Sequence, residues 1–323
     1  MGRKKKLKIV ILGVIIFASG VVLGGFGLRV INNKIAQEQQ AKYDLLSRRV
    51  LIENPNDILL DFTPLKKELE SYAANTVGKD KMSLYFEYLP TGSSIGINEN
   101  KESVGASLLK LPVVINVYKL AEEGRLDLDR TVSIEKQWLN SSYGSLYKKG
   151  EGYELTIRRA AQYALEESDN TAVLLLMDMI ARAPGGMQNG LFDFVDINYD
   201  VGSDDTVLIG SQAYASMLKC LYFSCFLNKD DSQEVLYHLT QATAKDRLAK
   251  SIPAGLDVAH KIGTFKEQTQ SDCGIIYLDK RNYLLCVMVD EGESEGSRHI
   301  AKVSQIVYEF LAPAEPATAQ KEN

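Results

Sequence analysis

Apolar and polar residues alternate near both ends of this chain, with a long helical stretch between, and that order limits the folds open to it. Near the start, Met82, Leu84, Phe86 and Tyr88 alternate with Ser83, Tyr85 and Glu87, which predicts a strand with one buried face. Pro90-Thr91-Gly92 turns the chain into a second strand at about 94–98. Strands return at 257–265, 273–278 and 284–290, the last two joined by a turn at 279–282. Between these groups, helices are predicted over 107–123, closed by Gly124, from about Thr156 onward, and over 212–227. An early helix is expected with Thr63 as its N-cap, Pro64 in its first turn and Leu65, Leu69 and Tyr72 at helical spacing. A last helix carries Ile300, Val303, Val307 and Phe310 on one face. Two strands from one end and three from the other build one sheet of about five strands. Its helices then divide between the sheet faces and a separate lobe, and the lobe boundary forms a natural cleft.

The N-terminus reads differently. Residues 9–28 are an uncharged apolar run of 20 residues, long enough for a helix to cross a bilayer core. No A-x-A site or lipobox cysteine follows, so the run is read as an uncleaved anchor over 9–31. The basic tail 1–8 outweighs Arg29 and Lys34, which puts the N-terminus inside and the body outside the cytoplasmic membrane. A polar stalk follows over 32–60, then a folded body over 61–312 and a loose Pro/Ala-rich tail over 313–323. The first 34 residues hold seven basic side chains and no acid, so the net charge of −5 leaves −12 for the remainder. A body that acidic is a poor nucleic-acid binder.

Three short motifs occur in order: Ser107-Leu108-Leu109-Lys110, Ser168-Asp169-Asn170 and Lys261-Ile262-Gly263. Ser-x-x-Lys by itself says little, since Ser133/Lys136, Ser145/Lys148 and Ser216/Lys219 match it too. Ser107 differs because it opens an apolar helix, whose free N–H groups favour developing negative charge. Lys110, one turn on, can reach the serine oxygen. It can act as base if burial or a neighbouring cation, with Lys261 the candidate, lowers its pKa. In Ser168-Asp169-Asn170, the outer two residues can enter a cleft while Asp169 points back into the fold; the same tripeptide is also a good helix cap. Lys261 and Gly263 share one face of a strand, and the glycine marks a place where another backbone comes close.

Around these motifs, YLPTGSSIGINENKESVGASLLKLPVVINVYKLAEEGRLDLDRTVSI, TIRRAAQYALEESDNTAV and VAHKIGTFKEQTQSDCGIIYLDKRNYLLCVMV extend the match. The body, about 62–312, resembles the class A β-lactamases within the penicillin-recognising serine hydrolases. The resemblance implies an α/β fold, with an antiparallel sheet of about five strands flanked by helices and a helical lobe across the active site. It implies Ser107 as nucleophile, Lys110 as base and Ser168 as proton relay. Asn170 would hold a substrate amide, while Lys261, Gly263 and Thr264 would line the binding strand, with Lys261 on a carboxylate. The N–H groups of Ser107 and Thr264 would form the oxyanion hole. The implied substrates are β-lactams, handled by a monomeric catalytic domain. The alternatives are a D-alanyl peptidase acting on peptidoglycan peptides with slow β-lactam release, or a silent binder or sensor.

Two departures bear on this. The third motif has Ile262 where the family carries a hydroxyl that helps bind the substrate carboxylate. Losing a hydrogen bond to a charged group weakens binding roughly 10- to 100-fold, and Thr264, one pleat on, can partly compensate. Class A β-lactamases also place a water-activating glutamate after the second motif. This chain has no glutamate between Glu167 and Glu234; the acids in the expected region are Asp193, Asp196, Asp200, Asp204 and Asp205, none in the family's local pattern. His238, His260 and His299 have no paired metal spacing, and neither metal nor cofactor is expected. His260 is read as a strand residue facing away from the cleft, and Tyr143 as a candidate for its wall. Cys220 and Cys225 are expected to point to different sides of a helix. Ile275 is expected opposite Cys286, so a disulfide is possible but not indicated, and all four cysteines, with Cys273, are read in the first place as small buried apolar residues.

Overall fold

In the computed structural model, Met82–Tyr88 (β1) lies within the sheet with every residue buried. One buried face was expected; both are covered, because a helix packs on the face that carries Ser83, Tyr85 and Glu87. Ser83 donates to Ser211 Oγ at 2.7 Å, and Glu87 accepts from Tyr85 and Lys219. Those polar residues are therefore satisfied in the interior.

The structure describes residues 31, 34, 42–46, 59–186, 190–195, 200–201 and 206–312. The expected anchor at 9–31 lies outside the described residues except for Ile31, as do most of the stalk and the tail from 313. Among the described residues no helix is long and apolar enough to cross a membrane. The chain divides into two units, Met1–Asp44 and Leu45–Asn323. Of the first, only Ile31, Lys34 and residues 42–44 are described, and Ile31, Lys34 and Lys42 are helical. The second begins inside the stretch read as a stalk: Leu45 and Leu46 are buried, and Leu45 is held by Gln233 and by the Tyr277 hydroxyl.

The body opens with α1 (Thr63–Tyr72). Its N-cap is Phe62 rather than Thr63, and the first free N–H, that of Thr63, is met by Asp61 Oδ1 at 2.9 Å. After β1 come β2 (Ser93–Ile97), β3 (Glu102–Val104) and α2 (Lys110–Glu122). Next are β4 (Thr131–Ser133), β5 (Glu154–Thr156), α3 (Ile157–Glu166) and α4 (Asn170–Arg182). The short α5 (Leu191–Phe194), β6 (Asp200–Val201) and β7 (Val207–Gly210) lead to α6 (Ser211–Tyr222) and α7 (Lys229–Thr240). The chain then completes β8 (Val258–Phe265), β9 (Thr269–Ile276), β10 (Tyr283–Val289) and α8 (Glu293–Leu311).

The five-stranded antiparallel sheet has the order β2-β1-β10-β9-β8, so both ends of the chain build it, as expected. Its first and last contributions meet at the centre, where β1 pairs with β10 from Met82↔Val289 to Tyr88↔Tyr283. On one face, α1 and α8 bury Leu65, Leu69, Ile300, Val303 and Val307 against Phe86, Leu285 and Val287. Each such side chain contributes about 1.5–3 kcal/mol of burial. Helices α2, α3 and α4 pack together as the helical lobe. Thr156 caps α3 by accepting from the Arg159 N–H at 3.1 Å, and buried Ala160, Ala161 and Ala164 let neighbouring helices approach closely.

All four cysteines are paired, contrary to expectation. The predicted helix over 212–227 stops at Tyr222, since Ser224 takes φ 52° and Cys225 N–H bonds back to Cys220 O at 3.0 Å. That reversal brings Cys225 beside Cys220, and the two form a disulfide. In the β9–β10 pair, Cys273 rather than Ile275 stands opposite Cys286, and these two are also bonded. The register sits two residues from the expected one because β9 ends at Ile276, opposite Tyr283, and the connection spans 277–282 rather than 279–282.

Candidate active site

The turn at Ser107 is built by local strain and close packing. Ala106 takes φ 44°, a left-handed conformation unusual for alanine, directly before Ser107. Ser107 is the second residue of a 3₁₀ turn, Ala106–Leu109, that runs into α2. Its own N–H therefore has no intrahelical partner. The turn is pinned from three sides. Gly105 N–H bonds Val207 O at 2.9 Å, Tyr214 hydroxyl donates to Leu108 O at 3.1 Å, and β8 passes alongside. Gly263 makes that passage possible: a Cβ there would lie 2.4 Å from Ser271 Oγ and 3.1 Å from both Gly105 O and Leu108 Cγ. The glycine of the third motif thus sets how near the binding strand comes to Ser107.

Lys110 is the first residue of α2 and is buried, as are Leu111, Val114, Ile115, Val117, Tyr118 and Leu120 of the same helix. Its Nζ donates to Asn170 Oδ1 at 2.6 Å, to Ser168 Oγ at 3.2 Å and to Ser168 O. From the opposite wall, Lys261 on β8 donates to the same Ser168 Oγ at 2.7 Å. Four of the residues singled out from the sequence are therefore at one place, Lys110, Ser168, Asn170 and Lys261, and Ser107 stands one turn before Lys110. With both lysines donating to its oxygen, Ser168 is left with its own hydrogen to give to something else.

Burial pushes the Lys110 pKa down from 10.5 to about 8, against the opposing charge of Asp169. Lys261 is held well below the ordinary lysine range, first by burial and then by the Lys110 charge. The sequence left two causes for a lowered Lys110 pKa, burial or a neighbouring cation such as Lys261, and of these the first prevails. The effect of one lysine on the other falls chiefly on Lys261. Neither lysine has a carboxylate within ion-pair reach among the described residues.

The second motif serves as both cleft wall and helix start. Ser168 takes φ 53°, and Asp169 is the N-cap of α4, accepting from Ala172 N–H at 2.9 Å. Asp169 points inward, as expected, and is wholly buried. Its other oxygen accepts from Leu146 N–H at 2.7 Å, and Asn170 N–H bonds Tyr143 O at 3.1 Å. The loop that carries Tyr143 is thereby strapped to the motif, and Tyr143 lines a narrow pocket with Ser168, Lys261 and Ile262. Gly144 fits only as glycine, since a Cβ would come 2.1 Å from Asp169 Oδ2.

On β8, Ile262 offers the cleft no hydroxyl, and Thr264 Oγ1 accepts from Arg247 Nη2 at 2.7 Å. Sequence reading missed Arg247, which stands in a loop between Lys245 and Lys250 with no motif around it. It is almost completely buried and donates to Gly263 O, Ser271 O, Gln270 Oε1 and Ser297 Oγ as well. Its nearest acid is Asp246, at 4.0 Å. His260 was expected simply to face away; it is buried, with Nδ1 2.9 Å from Asp272 Oδ1. Among the acids weighed for water activation, Asp196, Asp204 and Asp205 lie outside the described residues, and Asp193 is exposed on α5.

A serine at a strained helix start, flanked by two buried lysines that meet on a second serine, defines an active-site serine hydrolase of the acyl-enzyme kind. Comparison with known proteins agrees. The model of the "Beta-lactamase enzyme family" matches residues 64–311, and the chain belongs to that family. It is 28% identical over 235 residues to the extended-spectrum β-lactamase PER-1 of Pseudomonas aeruginosa, covering 63% of this chain and 74% of that one. A β-lactamase of Bacteroides uniformis is 23% identical over 251 residues, covering 68% and 83%. The fold is shared with the extended-spectrum β-lactamase TLA-3, at TM-score 0.70 and 20% identity over 78% of this chain and 100% of that one. It is shared also with PBP-A, at TM-score 0.67 and 21% identity over 77% and 96%.

Proposed function

We propose that β-lactams acylate Ser107 and that the resulting ester is hydrolysed. The observation that carries this reading is the meeting of Lys110 and Lys261 on Ser168 Oγ, beside the turn that presents Ser107. Neutral Lys110 takes the Ser107 proton as Oγ bonds to the lactam carbonyl carbon. The N–H groups of Ser107 and Thr264 receive the developing oxyanion. Ser168 gives its hydrogen to the lactam nitrogen as the C–N bond breaks, and Lys110 returns a proton to Ser168. Asn170 holds the substrate amide. The substrate carboxylate is drawn by Lys261 and by Thr264, with Arg247 behind it. Lys261 and Arg247, two buried basic groups without a hydrogen-bonded carboxylate, make an anionic ligand the natural complement. Water then adds to the ester carbonyl carbon, releasing the acid and restoring the Ser107 hydroxyl.

A second reading is favoured by one observation. With no glutamate between Glu167 and Glu234, water activation is weakened. A D-alanyl peptidase that releases β-lactams slowly fits that loss. A solved PBP-A variant is described as an acyl-enzyme complex with penicillin G, so its fold accommodates such an adduct. The location we infer is the outer side of the cytoplasmic membrane, anchored through 9–31, with a monomeric body. Two disulfides support an oxidising compartment. Protease added to intact spheroplasts should digest the body; full protection would overturn that placement.

Fluorescent penicillin incubated with the full chain, and with Ser107→Ala, tests the chemistry. Label that forms on Ser107 and clears with release of opened product supports hydrolysis, and label that stays supports the second reading. Absence of label, or label undiminished in Ser107→Ala, would refute acylation at this serine.

A further inference from the structure

Buried His238, in the last turn of α7, bridges two helices beside the acylation site. Its Nδ1 lies 2.8 Å from Glu166 Oε1 at the end of α3, and its Nε2 lies 3.9 Å from Glu234 Oε1, one turn back on α7. With a carboxylate toward each ring nitrogen, the ring is best satisfied carrying a hydrogen on both, which is its charged form. The carbonyl groups that end α7 favour a cation at the same place.

Glu166 stands two residues before Ser168, on whose oxygen Lys110 and Lys261 meet. Its carbonyl accepts from Thr243 N–H at 2.9 Å and from Thr243 Oγ1 at 3.1 Å, so side chain and backbone are both tied to α7 and the segment that leaves it. Among the described residues, His238 is the one cation within ion-pair distance of Glu166, whose other side-chain partner is neutral Gln162 at 3.1 Å. Glu234, by contrast, is held by Arg158 at 2.6 Å, which also engages Asp129 at 2.9 Å. Tyr118 of α2 and Asp231 of α7 face Glu234 as well. β8 and α6 also pack on α7 but carry no acid; Lys261 is turned to Ser168, His260 to Asp272 and Lys219 to Glu87. The charge of His238 is therefore committed mainly to Glu166.

We propose that charged His238 is a positioning residue for Ser168: it clamps the end of α3 to α7, and loss of its proton loosens the corner from Glu166 to Ser168. This role rests on the reading of Ser168 as proton relay. Burial lowers the His238 pKa, but the bonds to Glu234 and Glu166 outweigh it and hold the ring above its ordinary 6.5. The clamp is then fully present below 6.5 and is lost as pH rises through the folded value.

The chain has 3 histidines, so ring NMR signals of the full chain single out His238, assigned by its loss in His238→Gln. It is expected to titrate above 6.5. Hydrogen exchange by mass spectrometry, corrected for the intrinsic effect of pH, reads two amides: Thr243 N–H on Glu166 O, and Asp169 N–H on Tyr163 O. Their protection should fall with the His238 titration, by at most about tenfold for each pH unit of upward shift. Glu166→Gln and His238→Gln each remove the charge pair and leave Lys110 in place, so either serves as the reference in which this fall is absent. Titration of His238 at or below 6.5, protection that ignores its titration, or an equal fall in the reference variant would each overturn the proposal. Neither readout involves a β-lactam, so failure of the clamp is distinguishable from failure of acylation at Ser107.

Discussion

Replacing Lys110 with methionine keeps the length of the side chain and removes its charge. Lys110 titrates near 8 in the folded chain rather than at 10.5, a difference of about two and a half pH units. At about 1.4 kcal/mol per unit, a charged Lys110 costs the fold roughly 3 kcal/mol. The sign follows from proton counting. Below pH 8 the lysine is charged in both folded and unfolded chains, and the folded state bears the whole cost. Between 8 and 10.5 the folded chain has released its proton while the unfolded chain keeps it, so stability rises with pH. Above 10.5 neither form is charged and the cost is gone. Lys110→Met never bears it. The variant also loses the hydrogen bonds to Ser168 and Asn170, but that loss does not follow this titration. Urea unfolding of both proteins from pH 7 to pH 10.5 should show the stability of the variant, relative to wild type, falling by about 3 kcal/mol across the window. Lys261 acts in the same direction, because removing Lys110 also relieves the charge that lowers its pKa. Acylation by penicillin should be lost in the variant, and in the wild type its rate should rise through pH 8. A stability difference that stays constant with pH would mean that Lys110 titrates normally, and burial would then not be what makes it a base.

Gly263→Ala places a methyl group against Ser271 Oγ, Gly105 O and Leu108 Cγ; it should cost roughly 1–3 kcal/mol in urea unfolding and slow acylation by displacing β8 from the Ser107 turn. Asp169→Ala removes the cap of α4 and the acceptor for Leu146 N–H, a combined loss of roughly 2–4 kcal/mol measurable by thermal or urea unfolding. Arg247→Met deprives Gly263 O, Ser271 O, Thr264 Oγ1 and Gln270 Oε1 of their donor. It should lower stability by roughly 2–4 kcal/mol and raise KM for carboxylate-bearing β-lactams more than it lowers kcat. An unchanged KM would remove Arg247 from substrate recognition.

Periodicity alone marked where most elements lie. β1, β8 and β10 appear within a residue or two of their expected places, and the α8 face of Ile300, Val303 and Val307 meets the sheet as anticipated. Those patterns are legible because side-chain direction repeats with period 2 or 3.6 along one segment. The three motifs were legible for a related reason: each is a local stretch whose residue types already suit its chemistry. What stayed hidden depends on contacts between distant segments. Helix α6 had to pack on β1 before Ser83 and Glu87 could be buried, and the turn at Ser224 had to close before Cys220 met Cys225. No local pattern marks Arg247, because its role lies in partners on β8, β9 and α8. The sequence by itself marked the candidate residues for the chemistry and the segments that form the sheet. Tertiary structure alone decided how deeply Lys110 is buried, that Lys261 shares Ser168 with it, and that Gly263 lets β8 lie against the Ser107 turn. Burial and proximity are properties of the packed chain as a whole, and a charged side chain acquires its working pKa only when that packing excludes water.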